Sequence, residues 1–305
     1  MSNPIVTTTA LTKVFRDFWN RPKVHALTQL DLSVSRGEVF GLLGPNGSGK
    51  STTIKLLLGL LHPTSGSVTI LGSTPRNVAN RRHIGYLPEE SQLYQQLTAA
   101  ETLRFYGGLF GLKGVQLKDR IDQLLNMVGL THAADRSVGE FSKGMARRIG
   151  LAQALINDPD LVILDEPTAG LDPVGCHQIK DLLRALAARG KTIILSSHLM
   201  ADVQDVCDRI ALLHNGRCLT EGAMDTLLSC RDRIRFGINR PSPEQIDSIT
   251  AAISKICGTP PEIDNPTLAL ETFFVDAIAK ATTPNNRSPS GVSQKTQLAP
   301  FLRSP

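Results

Sequence analysis

Long apolar runs are missing from this 305-residue chain. A membrane-crossing helix needs about 18 or more consecutive apolar residues, and no such stretch occurs. The most apolar window, residues 54–61, is short and carries Lys55. Met1-Ser-Asn-Pro is not a basic region followed by an apolar one, so no secretion signal is expected. Cysteine is also scarce. The five present (Cys176, Cys207, Cys218, Cys230 and Cys257) are odd in number and include no C-x-x-C pair. That argues against a zinc cluster or a disulfide framework and leaves reduced thiols as the expectation. The seven histidines show no metal-ligand spacing. Charge of one sign is not in large excess. A net charge of +5 reads as solubility rather than as a polyanion-binding surface. What remains is the composition of an ordinary globular protein of one or two domains.

Against that plain background one segment stands out. Residues 44–52 read Gly-Pro-Asn-Gly-Ser-Gly-Lys-Ser-Thr, a complete G-x-x-x-x-G-K-S phosphate-binding loop. An apolar strand-like run precedes it and a helical run, residues 52–58, follows, which is the context the motif requires. Gly44, Gly47 and Gly49 let backbone N–H groups turn inward around a phosphate, and the helix adds its positive end. Pro45, Asn46, Ser48 and Thr52 complete the cradle. Lys50 is placed to reach the β- and γ-phosphates and Ser51 to hold Mg²⁺.

The rest of the chain alternates in type. Strand-like runs at 5–9, 25–34, 38–43, 67–71 and 83–87 bracket the loop, with residues 16–23 read as an exposed polar and aromatic excursion. From about residue 98 the apolar period changes to three and four, predicting helices over 99–110, 117–128 and 144–156. Strands return at 161–164, 191–196 and 210–214, with a helix over 172–189 between the first two. Strand–helix–strand alternation predicts parallel pairing. The expected fold is therefore α/β, a P-loop core with an antiparallel β subdomain and an inserted helical subdomain at about 90–156. Residues 231–281 read as a small accessory unit. It has a strand at 233–238, a helix opened by Ser242-Pro-Glu with Ile246, Ile249, Ile253 and Ile256 on one face, and a helix over 270–279. Residues 282–305 are rich in Ser, Thr, Asn and Pro, and disorder is expected there.

Leu161-Val-Ile-Leu-Asp-Glu166 is a buried-strand pattern ending in two carboxylates. After a phosphate loop, Asp165 is a candidate Mg²⁺ ligand and Glu166 a candidate to polarise an attacking water. Phe141-Ser-Lys-Gly-Met145 lies upstream, and Gly170-Leu-Asp172 and Ser196-Ser-His198 downstream. In this order, over residues 5–222, the chain resembles the ATP-binding subunits of ABC transporters.

The resemblance implies further roles. Phe15 takes the place of the aromatic that stacks on adenine. Glu89 stands where a glutamine usually reaches Mg²⁺ and water. Ser142 and Gly144 match signature residues that contact the γ-phosphate of a partner's ATP, Asp172 matches the D-loop acid, and His198 the γ-phosphate histidine. Asp172 also suits a helix N-cap, Leu-Asp-Pro being a good start signal. Lys143, Met145, Arg147 and Glu89 depart from the common pattern; the Ser-Lys-Gly-Met variant and the glutamate look like the ABC-2 exporter branch.

The resemblance implies ATP and Mg²⁺ as ligands, and no guanine-reading N-K-x-D motif is present. It also implies Glu166, His198 and Lys50 as the catalytic set, a head-to-tail pair of ATP-binding subunits, and a separate transmembrane permease holding the chain at the cytoplasmic face of a membrane. A soluble ABC ATPase acting on a ribosome or nucleic acid is the alternative. Ribosome-acting members resemble two cassettes in one chain, and DNA-repair members carry a coiled coil for which the segment between Lys50 and Asp165 is too short. No nucleic-acid partner is therefore expected. A non-hydrolysing cassette would lack Glu166 or His198.

Overall fold

The computed structural model describes residues 4–229, 238, 241–258, 261 and 298–302. Eighteen strands and α-helices follow one another there: β1 (Val6–Arg16), β2 (Pro22–Val34), β3 (Val39–Leu43), α1 (Lys50–Leu57), β4 (Ser65–Ile70), α2 (Val78–Arg81), β5 (Ile84–Leu87), α3 (Ala99–Leu109), α4 (Gly114–Met127), α5 (Lys143–Leu155), β6 (Leu161–Asp165), α6 (Pro173–Ala188), β7 (Thr192–Ser197), α7 (Met200–Val206), β8 (Arg209–His214), β9 (Arg217–Ala223), α8 (Met224–Leu228) and α9 (Pro243–Cys257).

Two sheets result. The larger runs β5-β6-β7-β3-β8-β9, parallel except for the β8–β9 hairpin. The smaller is antiparallel, in the order β2-β1-β4. The run Leu161-Val-Ile-Leu164 is buried on both faces, as a central parallel strand must be. Leu161 and Ile163 pack with α1 and the small sheet in one core, while Val162 and Leu164 join the helical layer in another. The period of two thus divides one strand between two cores.

Helices α3, α4 and α5 form the inserted layer. Thr98 and Glu101 close a reciprocal capping box at α3, Ser142 caps α5, and Asp172 caps α6 with Pro173 at its first position.

Several expectations are revised. β1 does not stop at residue 9 but runs on to Arg16. The polar and aromatic excursion at 16–23 is the tip of the long β1–β2 hairpin, closed by Asp17 N–H donating to Arg21 O (2.9 Å) and by an Asp17–Arg21 ion pair. Phe18 stands 94% exposed there. β9 was not expected. Its turn contains Asn215 and Gly216, both at positive φ, a type of connection that short-run hydrophobicity does not register.

The disorder expected at 282–305 is corrected at 298–302, and the rest of that range lies outside the described residues. Leu298, Ala299, Phe301 and Leu302 pack on the main hydrophobic core. Arg189, just beyond α6, donates to the carbonyls of Ala299 (3.0 Å) and Leu302 (2.9 Å). Arg120 of α4 lies 4.5 Å from the centre of the Phe301 ring. A Leu-Ala-Pro-Phe-Leu run is apolar enough to bury, and the polar composition of the residues around it hides that.

The described residues fall into two compact units. One comprises the residues to Leu227 together with 298–302; the other holds α9, opened by a Ser242–Gln245 capping box. The strand expected at 233–238 and the helix expected at 270–279 lie outside the described residues but for Ile238.

Candidate active site

Parallel pairing decides which loops meet. Leu43 pairs with Ser197, Asp165 with Ser196 and Leu87 with Leu164. The residues that follow these pairs therefore emerge along one carboxyl edge of the sheet, where ligands bind in open α/β folds. Gly44 begins the phosphate loop there, and its N–H donates to Ser197 O (3.3 Å).

The loop is closely packed from behind. A Cβ on Gly44 would lie 2.3 Å from Leu213 O, and one on Gly49 would lie 2.8 Å from Ala26 O. Gly49 also holds φ +111 as the N-cap of α1, and no side chain caps the first-turn N–H groups. Those donors, with no acid in the first turn, form an anion site. Ser48 Oγ is buried with no hydrogen-bond partner among the described residues, while Pro45, Asn46 and Gly47 are exposed at the rim. The cradle fits a phosphate chain.

Lys50 is buried and folded back on its own loop. Its Nζ donates to Gly44 O (2.7 Å) and Pro45 O (3.3 Å) and lies 3.5 Å from Glu166 Oε1. The other carboxylate oxygen of Glu166 is 2.9 Å from His198 Nδ1. Ser51 Oγ donates to Asp165 Oδ1 across 3.4 Å, and Ser196 Oγ donates to the same oxygen at 2.6 Å. Ser196 Oγ also accepts from Glu166 N–H (3.0 Å). Lys50, Ser51, Asp165, Glu166 and His198 thus form one connected cluster. Glu166 itself sits at φ +52, a conformation that costs a non-glycine residue on the order of 1 kcal/mol or more. Among the described residues no group of three or more His, Cys, Asp or Glu side chains could hold a metal ion alone. The Ser51–Asp165 oxygen pair beside a phosphate cradle fits Mg²⁺, which takes few protein ligands and completes its shell with phosphates and water.

Phe15 lies opposite Val24 on the β1–β2 hairpin, two residues before the Ala26 carbonyl that touches Gly49. Its ring is partly exposed, with the Lys13 ammonium 5.2 Å from its centre. Glu89 follows β5 on the same sheet edge with an exposed side chain, and its backbone carbonyl accepts from Arg147. Ser142 is exposed at the start of α5, where its Oγ accepts from Met145 N–H (3.2 Å). Gly144 packs against Leu171, and Asp172 Oδ1 accepts from Gly175 N–H (2.9 Å). These last three group together. Among the described residues no hydrogen bond or ion pair joins them to the phosphate loop.

Two residues of the site carry contacts that the sequence does not disclose. Ser196 reaches Asp165 and Glu166 only through strand register. Arg147 stands out in the sequence solely as an unusual residue. Burial pushes its guanidinium pKa down, opposed by the charges of Asp165, Glu89 and Glu166, and burial pushes the Tyr86 phenol up to about 12.

Comparison with known proteins places this arrangement. The ABC transporter family matches residues 27–169. An uncharacterised ABC transporter ATP-binding protein from a Nostoc strain is 43% identical over 231 residues, 75% of this chain and 69% of that protein. The chain belongs to the ABC transporter family. It is an ATP-hydrolysing, ATP-binding subunit homologous to export ATPases. The Nod factor export ATP-binding protein I of a Rhizobium strain is 47% identical over 201 residues, 65% of this chain and 66% of that protein. The chain thus spans about two thirds of the length of such curated ABC relatives, at 69% and 66%. Among solved structures, an ATP-binding subunit of an ABC transporter superposes with TM-score 0.65 at 33% identity, covering 73% of this chain and 91% of that one. An ATP-binding cassette dimer in a post-hydrolysis state, bound to ADP and Pi, superposes with TM-score 0.66 at 28% identity, covering 72% and 98%. The ABC fold accounts for both sheets and the helical layer.

Proposed function

We propose that this chain is the ATP-driven motor of an ABC-2-type exporter, working as a head-to-tail pair on a separate transmembrane permease at the cytoplasmic face of the membrane. One observation carries the reading. Lys50, Asp165, Glu166 and His198 converge at one sheet edge, while Ser142, Gly144 and Asp172 gather elsewhere with, among the described residues, no hydrogen bond or ion pair to them. A second subunit supplying its Ser142 and Gly144 over this chain's phosphate loop completes the site.

Roles follow from chemistry. The cradle and Lys50 bind the phosphates, which take over the ammonium from the Gly44 and Pro45 carbonyls and from the Glu166 carboxylate. That frees Glu166 to accept a proton from the attacking water. His198 donates to the γ-phosphate, and Phe15 stacks on the adenine. Ser51, Asp165 and Glu89 would hold Mg²⁺, which would supply positive charge to the phosphates.

Similarity to Nod factor export proteins supports export as the direction. Among the described residues no helix is long and apolar enough to cross a membrane, so the transport path is assigned to a partner. An aromatic cluster with Tyr94 and Phe105 exposed and Tyr106 half-buried suits that partner. Tyr94 and Phe105 meet edge to face at 5.5 Å, Phe105 and Tyr106 at 5.3 Å, and Leu109 and Phe110 are exposed nearby on the same helical layer.

The test is Glu166→Gln. It keeps size and hydrogen bonding but removes the charge, so hydrolysis falls by about 10²–10⁴-fold while ATP still binds. The ATP-bound pair then accumulates and is seen by light scattering with MgATP. Adding Ser142→Arg abolishes the pair. Wild-type hydrolysis by the Glu166→Gln protein overturns the assignment.

A further inference from the structure

Arg147 lies on the second turn of α5 with only 4% of its surface exposed. A buried guanidinium normally faces a carboxylate. This one faces backbone carbonyls. Its Nε donates to Pro167 O (3.2 Å), and its Nη1 donates to Pro88 O and to Glu89 O (2.9 Å). Its Nη2 donates to Asp165 O and to Glu166 O (2.6 Å). Four of the acceptors belong to two loops, one leaving β5 and one leaving β6, and the fifth is the carbonyl of Asp165, the last residue of β6.

Those loops have a shared difficulty. Beyond Leu87 and Leu164 the two strands stop pairing with each other, and the carbonyls that follow need other partners. The β6 loop must also hold Glu166 at φ +52. Ser196 grips that residue by its N–H, and Arg147 grips it by its carbonyl together with the carbonyls on either side. The carboxylate between these two grips is the one that meets Lys50 and His198. A planar fork of donors can satisfy this array at once; an ammonium or an amide cannot.

We infer that Arg147 is a positioning residue for ATP hydrolysis. Its guanidinium holds the Glu166 turn in its left-handed conformation and fixes the Glu89 loop to it, so that both carboxylates keep one geometry. Ser142 caps the same helix one turn earlier, so a movement of α5 that follows engagement of Ser142 by a second subunit's ATP reaches the Glu166 turn directly. The inference rests on the assignment of Glu166 to the hydrolytic step.

Arg147→Lys keeps the charge and three donors but loses the fork. In the full chain its kcat for MgATP falls by about 10-fold or more, while KM and the ATP Kd stay within about 3-fold, the mark of an interaction that matters only in the transition state. A general loosening of the fold moves both. Arg147→Gln, with two donors and no charge, shows the same split and substitutes if the lysine protein does not fold. The deciding measurement is a double-mutant cycle with Glu166→Gln in single-turnover phosphate release. If Arg147 acts through the Glu166 carboxylate, Arg147→Lys slows the Glu166→Gln protein by less than about 2-fold. Multiplicative losses overturn the inference, as does an unchanged kcat in the folded single variants. Wild-type hydrolysis by Glu166→Gln alone overturns the underlying assignment instead.

Discussion

Deleting residues 298–305 should cost the catalytic unit measurable stability, and the structure sets the size. Leu302 is buried to 2% exposure, and full burial of a leucine is worth about 1.5–3 kcal/mol. Leu298 and Phe301 are partly buried and contribute about half as much each. The Phe301 ring facing Arg120 adds about 0.5–1 kcal/mol. The two Arg189 hydrogen bonds are half-exposed, so water replaces them at a loss of about 1 kcal/mol each. Ordering five residues opposes this by about 1–2 kcal/mol each, less at Pro300, whose φ is already restricted. Taken at their midpoints the gains exceed the cost by up to about 1 kcal/mol, or a Tm lower by about 2–4 °C for a unit of this size.

Leu302→Asp provides the control. A buried unpaired carboxylate costs several kcal/mol, but the segment can undock, so the loss is capped at the docking energy. The substitution and the deletion should therefore melt within about 1 °C of each other by circular dichroism or dye fluorescence. Two proteins that both melt like wild type would refute the packing. A Leu302→Asp protein far less stable than the deletion would refute independent docking.

Two substitutions in the nucleotide cradle bear on ligand binding. Lys50→Ala should sharply weaken ATP binding in a fluorescence titration with Mg²⁺, because its ammonium is buried at the phosphate loop, 3.5 Å from Glu166, where the β- and γ-phosphates would meet it. Unchanged affinity refutes its phosphate role. Phe15→Ala should weaken ATP by about 0.5–1.5 kcal/mol and leave a base-free triphosphate unaffected, if the ring stacks on adenine. Equal losses for both ligands make the ring part of the hairpin's packing.

What the sequence determined by itself is whatever is written in consecutive residues. The phosphate loop is legible because one turn and one helix start build the whole cradle from 44 to 52, so no distant contact is needed. The same holds for the buried strand ending in Asp165-Glu166 and for the helix starts at Asp172 and Ser242, each a side chain bonding an N–H a few residues on. Motif order then carried the family, and with it the expected places of Phe15, Glu89 and His198.

Only the tertiary structure decided what depends on contacts distant in sequence. Strand register brings Ser196 to Asp165 and puts Gly44 beside Ser197. Arg147 is an odd letter in a helix until two strand ends present it with five carbonyls. Leu298–Leu302 looks like part of a polar tail until α4 and the end of α6 offer it a surface to bury against. In each case the residue's own preference is weak and its partners lie at least 18 residues away, so the energy that fixes its place exists only once the chain has folded around it.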